Sequence, residues 1–352
     1  IRNEWEETMS KVTTVGIDLA KNTFVLFGLG PKGHSGWKRK VRRKQLLEQL
    51  VRLEPCTVAL EACGSSHYWA RQIRALGHQV ELLPPQHVKG YLRGQKNDYN
   101  DAQAIAEASE HGRIRPVPIK EVEQQDDQML HKLRQGVSKD RVRISNQLRG
   151  LLAEYGVIMP QGIAALRREL PLALEDADNG LSERARQLLH RQYQRFLEVE
   201  QELAWYDQQV KQRSRQDETC RRLQAIPGVG EVVASLLKGW MGDGRQFRRG
   251  RDAGAALGLI PRQNSTGGKD VLLGISKRGD PYVRAQLVHG ARAVVARADG
   301  KMDRLSRWIQ RLKAERGFNK ATVALANKLV RIAWVIIARG EHYQPSEQRL
   351  AV

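Results

Sequence analysis

Four carboxylates and one short hydroxyl-bearing segment carry the chemistry this chain can do. Asp18 follows the β-rich run Thr14-Val15-Gly16-Ile17 and Glu61 follows Thr57-Val58-Ala59-Leu60, so both can project from the same edge of a parallel strand pair. Asp98 and Asp101 are three residues apart at the start of the run Ala102 to Ala108, a spacing that puts both on nearly one face of a helix. Four converging acids repel one another unless cations lie between them, and two Mg²⁺ (or Mn²⁺) ions ~3.5 to 4 Å apart are the usual solution. Such a pair activates one oxygen and stabilises the leaving one at a phosphodiester. Each acid alone also fits a turn former or helix cap. It is all four, in this order and in a basic chain, that point to metal-dependent phosphodiester chemistry.

The hydroxyls lie in Gly258-Leu259-Ile260-Pro261-Arg262-Gln263-Asn264-Ser265-Thr266-Gly267-Gly268-Lys269, beside glycine backbone and flanked by Arg262 and Lys269. Exposed amides and cations suit a phosphate. A serine here can attack a phosphodiester and hold the cut end covalently, conserving the bond energy for rejoining. The same residues also fit a Ser/Thr-Gly turn that only touches a DNA backbone. No adjacent His or Asp can serve as base, so activation has to come from elsewhere, and metal-bound acids are the natural source.

The elements that must position these groups change character along the chain. From Thr13 to about Lys120, short β-rich runs alternate with helical ones, the pattern of an α/β layer fold. Strands are expected at Thr14 to Ile17, Phe24 to Phe27, Trp37 to Val41, Thr57 to Leu60 and Val80 to Leu83, with helices over Lys44 to Leu53 and Tyr68 to Leu76. Between about Glu121 and Arg222 the strands disappear. There Leu189, Tyr193, Phe196, Leu203, Tyr206 and Val210 form one narrow apolar seam, which predicts an antiparallel coiled-coil hairpin with a partner helix over Met129 to Tyr155. Gly156, Pro160, Gly162, Pro171 and Gly180 are expected to break the connection. From Leu223 the chain is again basic and mostly helical. The expected domains are therefore 12–120, 121–222 and 223–345, with an extension at 1–11 and a tail at 346–352.

Lys plus Arg number 59 against 39 Asp plus Glu, a formal net charge of +20, which makes nucleic acid the expected partner. The apolar stretch Val323 to Ala338 is interrupted by Asn327, Lys328 and Arg331, so no membrane span is expected. Cys56, Cys63 and Cys220 are odd in number and lack Cys-x-x-Cys spacing, which argues against a disulfide scaffold or zinc site and for a reducing, cytoplasmic compartment. Lys38, Arg39, Lys40, Arg42 and Arg43 beside Trp37, and Arg248 and Arg249 in the run Arg245 to Arg251, suit contact with RNA or DNA, although a solvated charged face explains either run alone. Ile226-Pro227-Gly228-Val229-Gly230 fits a helix-hairpin-helix turn, with Gly228 and Gly230 lending amides to a phosphate, or a plain helix break.

Val15-Gly16-Ile17-Asp18-Leu19-Ala20-Lys21, Leu60-Glu61-Ala62, Asn97-Asp98 through Asp101-Ala102, Ile226 to Gly230 and Ser276-Lys277-Arg278-Gly279-Asp280 together resemble the motifs of the DEDD transposases of insertion-sequence family one-ten, especially its eleven-eleven subgroup, with the related Piv-type DNA invertases. The resemblance runs from about Val12 to Gly340. It implies a RuvC-like (ribonuclease H-like) domain with Asp18, Glu61, Asp98 and Asp101 as metal ligands, a coiled coil, and a transposase domain with a nucleophilic serine. Lys277 and Arg278 then join the nucleic-acid-binding residues. The serine lies in the Ser265-Thr266-Gly267-Gly268 cluster; relatives outside the subgroup have it directly before the glycine, where this chain has Thr266, so Ser265 is the first choice and Thr266 the second. The resemblance also implies a structured noncoding guide RNA that pairs with donor and target DNA.

The expected function is thus RNA-guided, site-specific DNA recombination by cleavage and rejoining. The alternative is a RuvC-like junction or structure-specific endonuclease that hydrolyses with the four acids alone. For an actin-like phosphotransferase the chain lacks a second Asp-Gly phosphate loop, and a non-catalytic scaffold leaves the acids unexplained. Exchange of two duplexes involves four strands, so a homodimer that becomes a tetramer on nucleic acid is expected.

Overall fold

The computed structural model describes residues 12–31, 35–94, 97–112, 114–269 and 271–345; the extension at 1–11 and the tail at 346–352 lie outside the described residues. The chain forms two compact units, Ile1–Gln124 and Gln125–Val352.

In the first unit the order is β1 (Thr14–Leu19), β2 (Thr23–Leu29), β3 (Ser35–Arg42), α1 (Leu46–Leu50), β4 (Thr57–Glu61), α2 (Ser66–Ala75), β5 (Gln79–Leu83), α3 (Pro85–Val88) and α4 (Asp98–Glu110). The five strands make one mixed sheet in the order β3-β2-β1-β4-β5. Short connections leave β1, β2 and β3 antiparallel, whereas the helical crossovers bring β4 parallel to β1 and β5 parallel to β4. Period-two alternation sends Val15, Ile17, Phe24, Leu26, Val58 and Leu60 to one face, against Leu46 and Leu50 of α1 and Trp69 and Ile73 of α2. The opposite face carries Val25, Phe27, Leu29, Ala59 and Leu83 and is covered by the alanine-rich side of α4. All five expected strands are present. The helix expected over Lys44 to Leu53 is shorter, a 3₁₀ turn followed by Leu46–Leu50.

The second unit contains α5 (Val122–Ala153, whose first turn spans the division), α6 (Ile163–Glu175), α7 (Glu183–Gln216), α8 (Glu218–Gln224), α9 (Glu231–Met241), α10 (Gly250–Ala256), the hairpin β6 (Pro261–Gln263) and β7 (Leu272–Ile275), α11 (Pro281–Ala296), α12 (Arg304–Arg316) and α13 (Phe318–Arg339). Helices α5 and α7 run antiparallel: Asp127 meets Arg213, Arg134 meets Asp207, Arg141 meets Glu200 and Gln147 meets Gln192, so partner numbers fall as α5 advances. At their far end Ile144, Leu148 and Leu152 of α5 share a core with Leu166 and Leu170 of α6 and Leu189, Tyr193 and Phe196 of α7. Toward the start of α5 the buried side chains are polar instead, Asp127 and His131, the latter with Nε2 2.9 Å from the Ser235 hydroxyl. Burial, with Arg134 nearby, pushes the His131 imidazole down to about 4.

Pro171 was expected to break the chain but lies inside α6. A proline there cannot donate to the carbonyl four residues back. The Tyr193 hydroxyl donates to that carbonyl, on Arg167, at 3.2 Å, which removes much of the cost of the missing bond. Helix α13 is long and apolar enough to cross a membrane by length and composition, contrary to expectation. Its Leu325, Leu329, Val330, Ala333 and Ile336 are buried in the core made with α9, α10 and α11, the arrangement of a central core helix.

Candidate active site

Thr14, Gly16 and Asp18 alternate with the core residues of β1 and therefore face α4. Near one end of α4 the Thr14 hydroxyl donates to Glu110. In the middle, a Cβ on Gly16 would lie 2.2 Å from the Ala102 carbonyl oxygen and 2.5 Å from the Ala106 nitrogen, so only glycine lets the helix lie flat on the strand. Asp18 then comes beside the first turn of α4, where single carboxylate oxygens of Asp18, Asp98 and Asp101 all lie within 4.8 Å of one another. Asn97 starts this helix, its side chain accepting the Asn100 amide at 2.9 Å. The capping role that Asp98 or Asp101 could have filled is thus taken by Asn97, and both aspartates stand in the first turn, where the helix dipole favours negative charge. Asp98 is exposed and the other two are half-buried.

Glu61 is the last residue of β4 and shares the α4-facing side with Ala59. Ile17 pairs with Leu60, which puts Asp18 and Glu61 at neighbouring register positions. Its carboxylate is not in the group formed by the three aspartates. The structure therefore gathers three of the four expected acids and sets the fourth alongside. Just beyond, partial burial and the charges of Glu61 and Asp18 raise the Cys63 thiol above its ordinary range. Ser65, in the same loop, is left-handed at φ 67°, a strained backbone for a side-chain-bearing residue.

Carboxylate oxygens are the ligands of hard divalent cations, and a 4.8 Å span is close to twice the ~2.1 Å Mg–O bond length. The three aspartates therefore fit around one such ion with modest adjustment. Lys40, on β3, is 3.8 Å from Asp98; both side chains are exposed, so the pair contributes little to stability.

Ser265 and Thr266 stand on the β6–β7 hairpin. Thr266 and Lys269 exchange backbone hydrogen bonds of 3.3 and 3.0 Å around Gly267 and Gly268, both at positive φ as in a primed two-residue turn. Residues from Pro261 to Lys269 are all exposed. Gln263 Nε2 donates to Ser265 Oγ at 2.9 Å, a contact that orients the hydroxyl but cannot take its proton. The hairpin root is firmer. A Cβ on Gly258 would meet the Arg278 nitrogen at 2.3 Å, one on Gly279 would meet the Ala256 carbonyl at 1.9 Å, and Arg284 donates to the carbonyls of Leu257 and Arg278. Asp280 caps α11, so much of the Ser276 to Asp280 motif clamps the hairpin.

The remaining basic residues are scattered. Lys38, Arg39, Lys40 and Arg42 are exposed on the edge strand β3 or at its end, while Arg43 lies 5.0 Å from the Trp69 ring centre. Arg248, Arg249, Arg262, Lys269, Lys277 and Arg278 are exposed, with Lys277 left-handed at φ 56°. Gly228 packs against α11, where its Cβ would lie 2.7 Å from the Gly290 carbonyl; around Gly230 the space is open. Sequence reasoning missed the positioning role of Gly16. The signal was there, since a glycine inside a β-rich run commonly marks close backbone approach.

A transposase family model, DEDD_Tnp_IS110, matches residues 15–157, and a second, described as Transposase IS116/IS110/IS902 family, matches residues 220–307. The chain is similar to the transposase for insertion sequence element IS1111A of Coxiella burnetii, 41% identical over 96% of this chain and 93% of that one. It is also similar to a probable family 20 transposase of Pseudomonas aeruginosa, 42% identical over 95% and 99%. The transposase for insertion sequence element IS1328 of Yersinia enterocolitica is 39% identical over 94% and 98%. With relatives of that identity along almost its whole length, the chain belongs to the IS110 family of transposases.

Proposed function

We propose that this transposase cuts and rejoins donor and target DNA by transesterification, with Asp18, Glu61, Asp98 and Asp101 holding divalent ions and Ser265 as nucleophile. The observation that carries the reading is the convergence of Asp18, Asp98 and Asp101 at one end of a mixed sheet, with Glu61 at the adjacent register position. The strand order β3-β2-β1-β4-β5 supports a ribonuclease H-like description of this unit. The antiparallel pair α5 and α7, with polar contacts of α5 at seven-residue steps, supports the coiled-coil description of the middle segment.

When bound, Mg²⁺ (or Mn²⁺) would neutralise charge on the phosphodiester oxygens and make the leaving oxygen a better leaving group. Ser265 Oγ forms a bond to phosphorus while the bond to one sugar oxygen breaks. The hydroxyl proton passes to a base outside the hairpin, and the sugar oxygen takes up a proton. Attack by the hydroxyl of another strand on the phosphoserine reverses these steps and restores the serine. Thr266 is the second choice for nucleophile. The guide RNA follows from family resemblance, and the net charge of +20 accords with holding an RNA backbone together with two duplexes. Assembly as a dimer and then a tetramer would bring hydroxyls and acids to the same phosphates.

The hydrolytic alternative needs the acids and no serine. Denaturing electrophoresis separates the two: a covalent protein–DNA adduct that requires Mg²⁺ and disappears in Ser265→Ala and Asp98→Ala supports transesterification. Cleavage by Ser265→Ala at the wild-type rate, without any adduct in the wild type, overturns it.

A further inference from the structure

We infer that Lys328, Arg331 and Arg304 form a nucleic-acid phosphate site on helices α12 and α13, in addition to the hairpin and to the basic runs evident in the sequence. Lys328 sits half-buried in the middle of α13, beside the buried Leu325 and Leu329. Its ammonium lies 5.2 Å from the centre of the Trp308 ring on α12, a placement that restrains a cation over an aromatic face. Arg331 follows one helical turn later, and its backbone packs against α10, where a Cβ on Gly250 would be 3.0 Å from the Arg331 carbonyl. Arg304 begins α12 and is exposed.

Arg304 is one helical turn before Trp308, so Lys328 lies in the field of both Arg331 and Arg304, and none of the three makes an ion pair with a carboxylate among the described residues. Burial, then Arg331, then Arg304 hold the Lys328 ammonium below its ordinary range. A half-buried ammonium repelled by two guanidiniums is unfavourable in the chain by itself, and phosphodiester oxygens are the counter-charge that relieves it. A line of cations favours a nucleic-acid backbone over a single anion. Arg304, Arg307 and Arg311 recur at three- and four-residue steps along α12, over about 10 Å of helix. Each strand of a duplex offers a charge every ~3.4 Å.

This proposal rests on nucleic acid being the partner, and the test keeps the two apart. The full chain and its Lys328→Gln, Arg304→Gln and Lys328→Arg variants are titrated by fluorescence anisotropy against labelled duplex DNA and a labelled RNA hairpin across a salt series. Each glutamine variant is expected to weaken binding about three- to tenfold and to reduce the salt slope by about 1, with Lys328→Arg close to wild type. A loss confined to the duplex assigns the site to DNA, and one confined to the hairpin assigns it to RNA. Without nucleic acid, Lys328→Gln is expected to keep or raise the thermal midpoint, because it removes a repelled charge; a purely structural role for Lys328 would lower it. Arg304 is exposed, so its variant carries the test even if Lys328→Gln folds poorly. Wild-type affinity and slope in both glutamine variants, with the wild type binding normally, overturn the site. A wild type that binds neither nucleic acid overturns the partner as well.

Discussion

Asp18, Asp98 and Asp101 stand on a strand end and the first turn of a helix that lies flat against that strand over Gly16, whereas Ser265 stands on a two-glycine hairpin exposed from Pro261 to Lys269. Ligands for a metal have to be held to within about half an ångström, which packed strands and helices do well. A nucleophile that carries a severed strand has a different requirement. In the proposed reaction it has to reach one phosphate and then present it to the hydroxyl of another strand, which suits an exposed hairpin clamped at its root by Gly258, Gly279 and Arg284. The difference between the units is thus one between a precise mount and a reachable one.

The largest effects should come from the reactive groups themselves. Asp98→Ala or Asp101→Ala is expected to lower strand cleavage by at least ~100-fold without unfolding the first unit, as judged by gel assays and circular dichroism. Ser265→Ala should abolish joining and leave both units as stable as wild type. Robust cleavage by Asp98→Ala would remove the contrast at its root.

Acid should affect both units. Burial pushes His67 down to about 4, reinforced by Lys120 and Arg71, and His131 is lowered to about the same value. An unfolded chain takes up these protons near pH 6.5 while the folded chain resists until about 4, so stability falls as pH drops through that window. For the buried His131 the loss is on the order of 3 kcal/mol, and urea titrations at pH 7 and pH 4.5 measure it. A His131→Asn variant with the same pH dependence as wild type would argue against this source.

Gly16→Ala sharpens the comparison. Its methyl group would collide with α4, so a loss of about 1 to 3 kcal/mol in the first unit is expected, together with weakened Mn²⁺ binding. Tyr193→Phe should cost about 1 kcal/mol in the helical unit by leaving the Arg167 carbonyl beside Pro171 without its donor. Gly267→Ala is expected to cost about 1 kcal/mol and to leave Mn²⁺ binding unchanged, because only backbone strain at φ 56° opposes it and no atom lies within 4 Å. Equal effects of Gly16→Ala and Gly267→Ala on unfolding and Mn²⁺ binding would erase the distinction between the two mounts.

The strands were legible because apolar and polar residues alternate with a period of two, and the apolar seam of α7 because Leu189, Tyr193, Phe196, Leu203 and Val210 keep helical spacing and are buried, with Tyr206 of the same seam half-buried. What was not legible depends on residues remote in sequence. Pro171 continues its helix with Tyr193 of a neighbouring helix donating to the carbonyl that the proline cannot reach. The polar inner face of α5 became visible only with Arg213 and Ser235 opposite it. In the acid site, local spacing placed Asp98 and Asp101 together, but the approach to Asp18 depends on the contact of Gly16 with Ala102 and Ala106. Three carboxylates come together, whereas Glu61, at the neighbouring register position, is not in their group. The cluster of Arg304, Lys328 and Arg331 escaped notice for the same reason, being split between two helices.

Recombination carried out in ¹⁸O-labelled water addresses the joint role of acids and serine most directly. If Ser265 holds each cut end and passes it to the next strand, the phosphates at the new junctions contain no solvent oxygen. Label on the phosphates of cut ends would mean that water had cut the strands, and the hydroxyl would have no place in the chemistry.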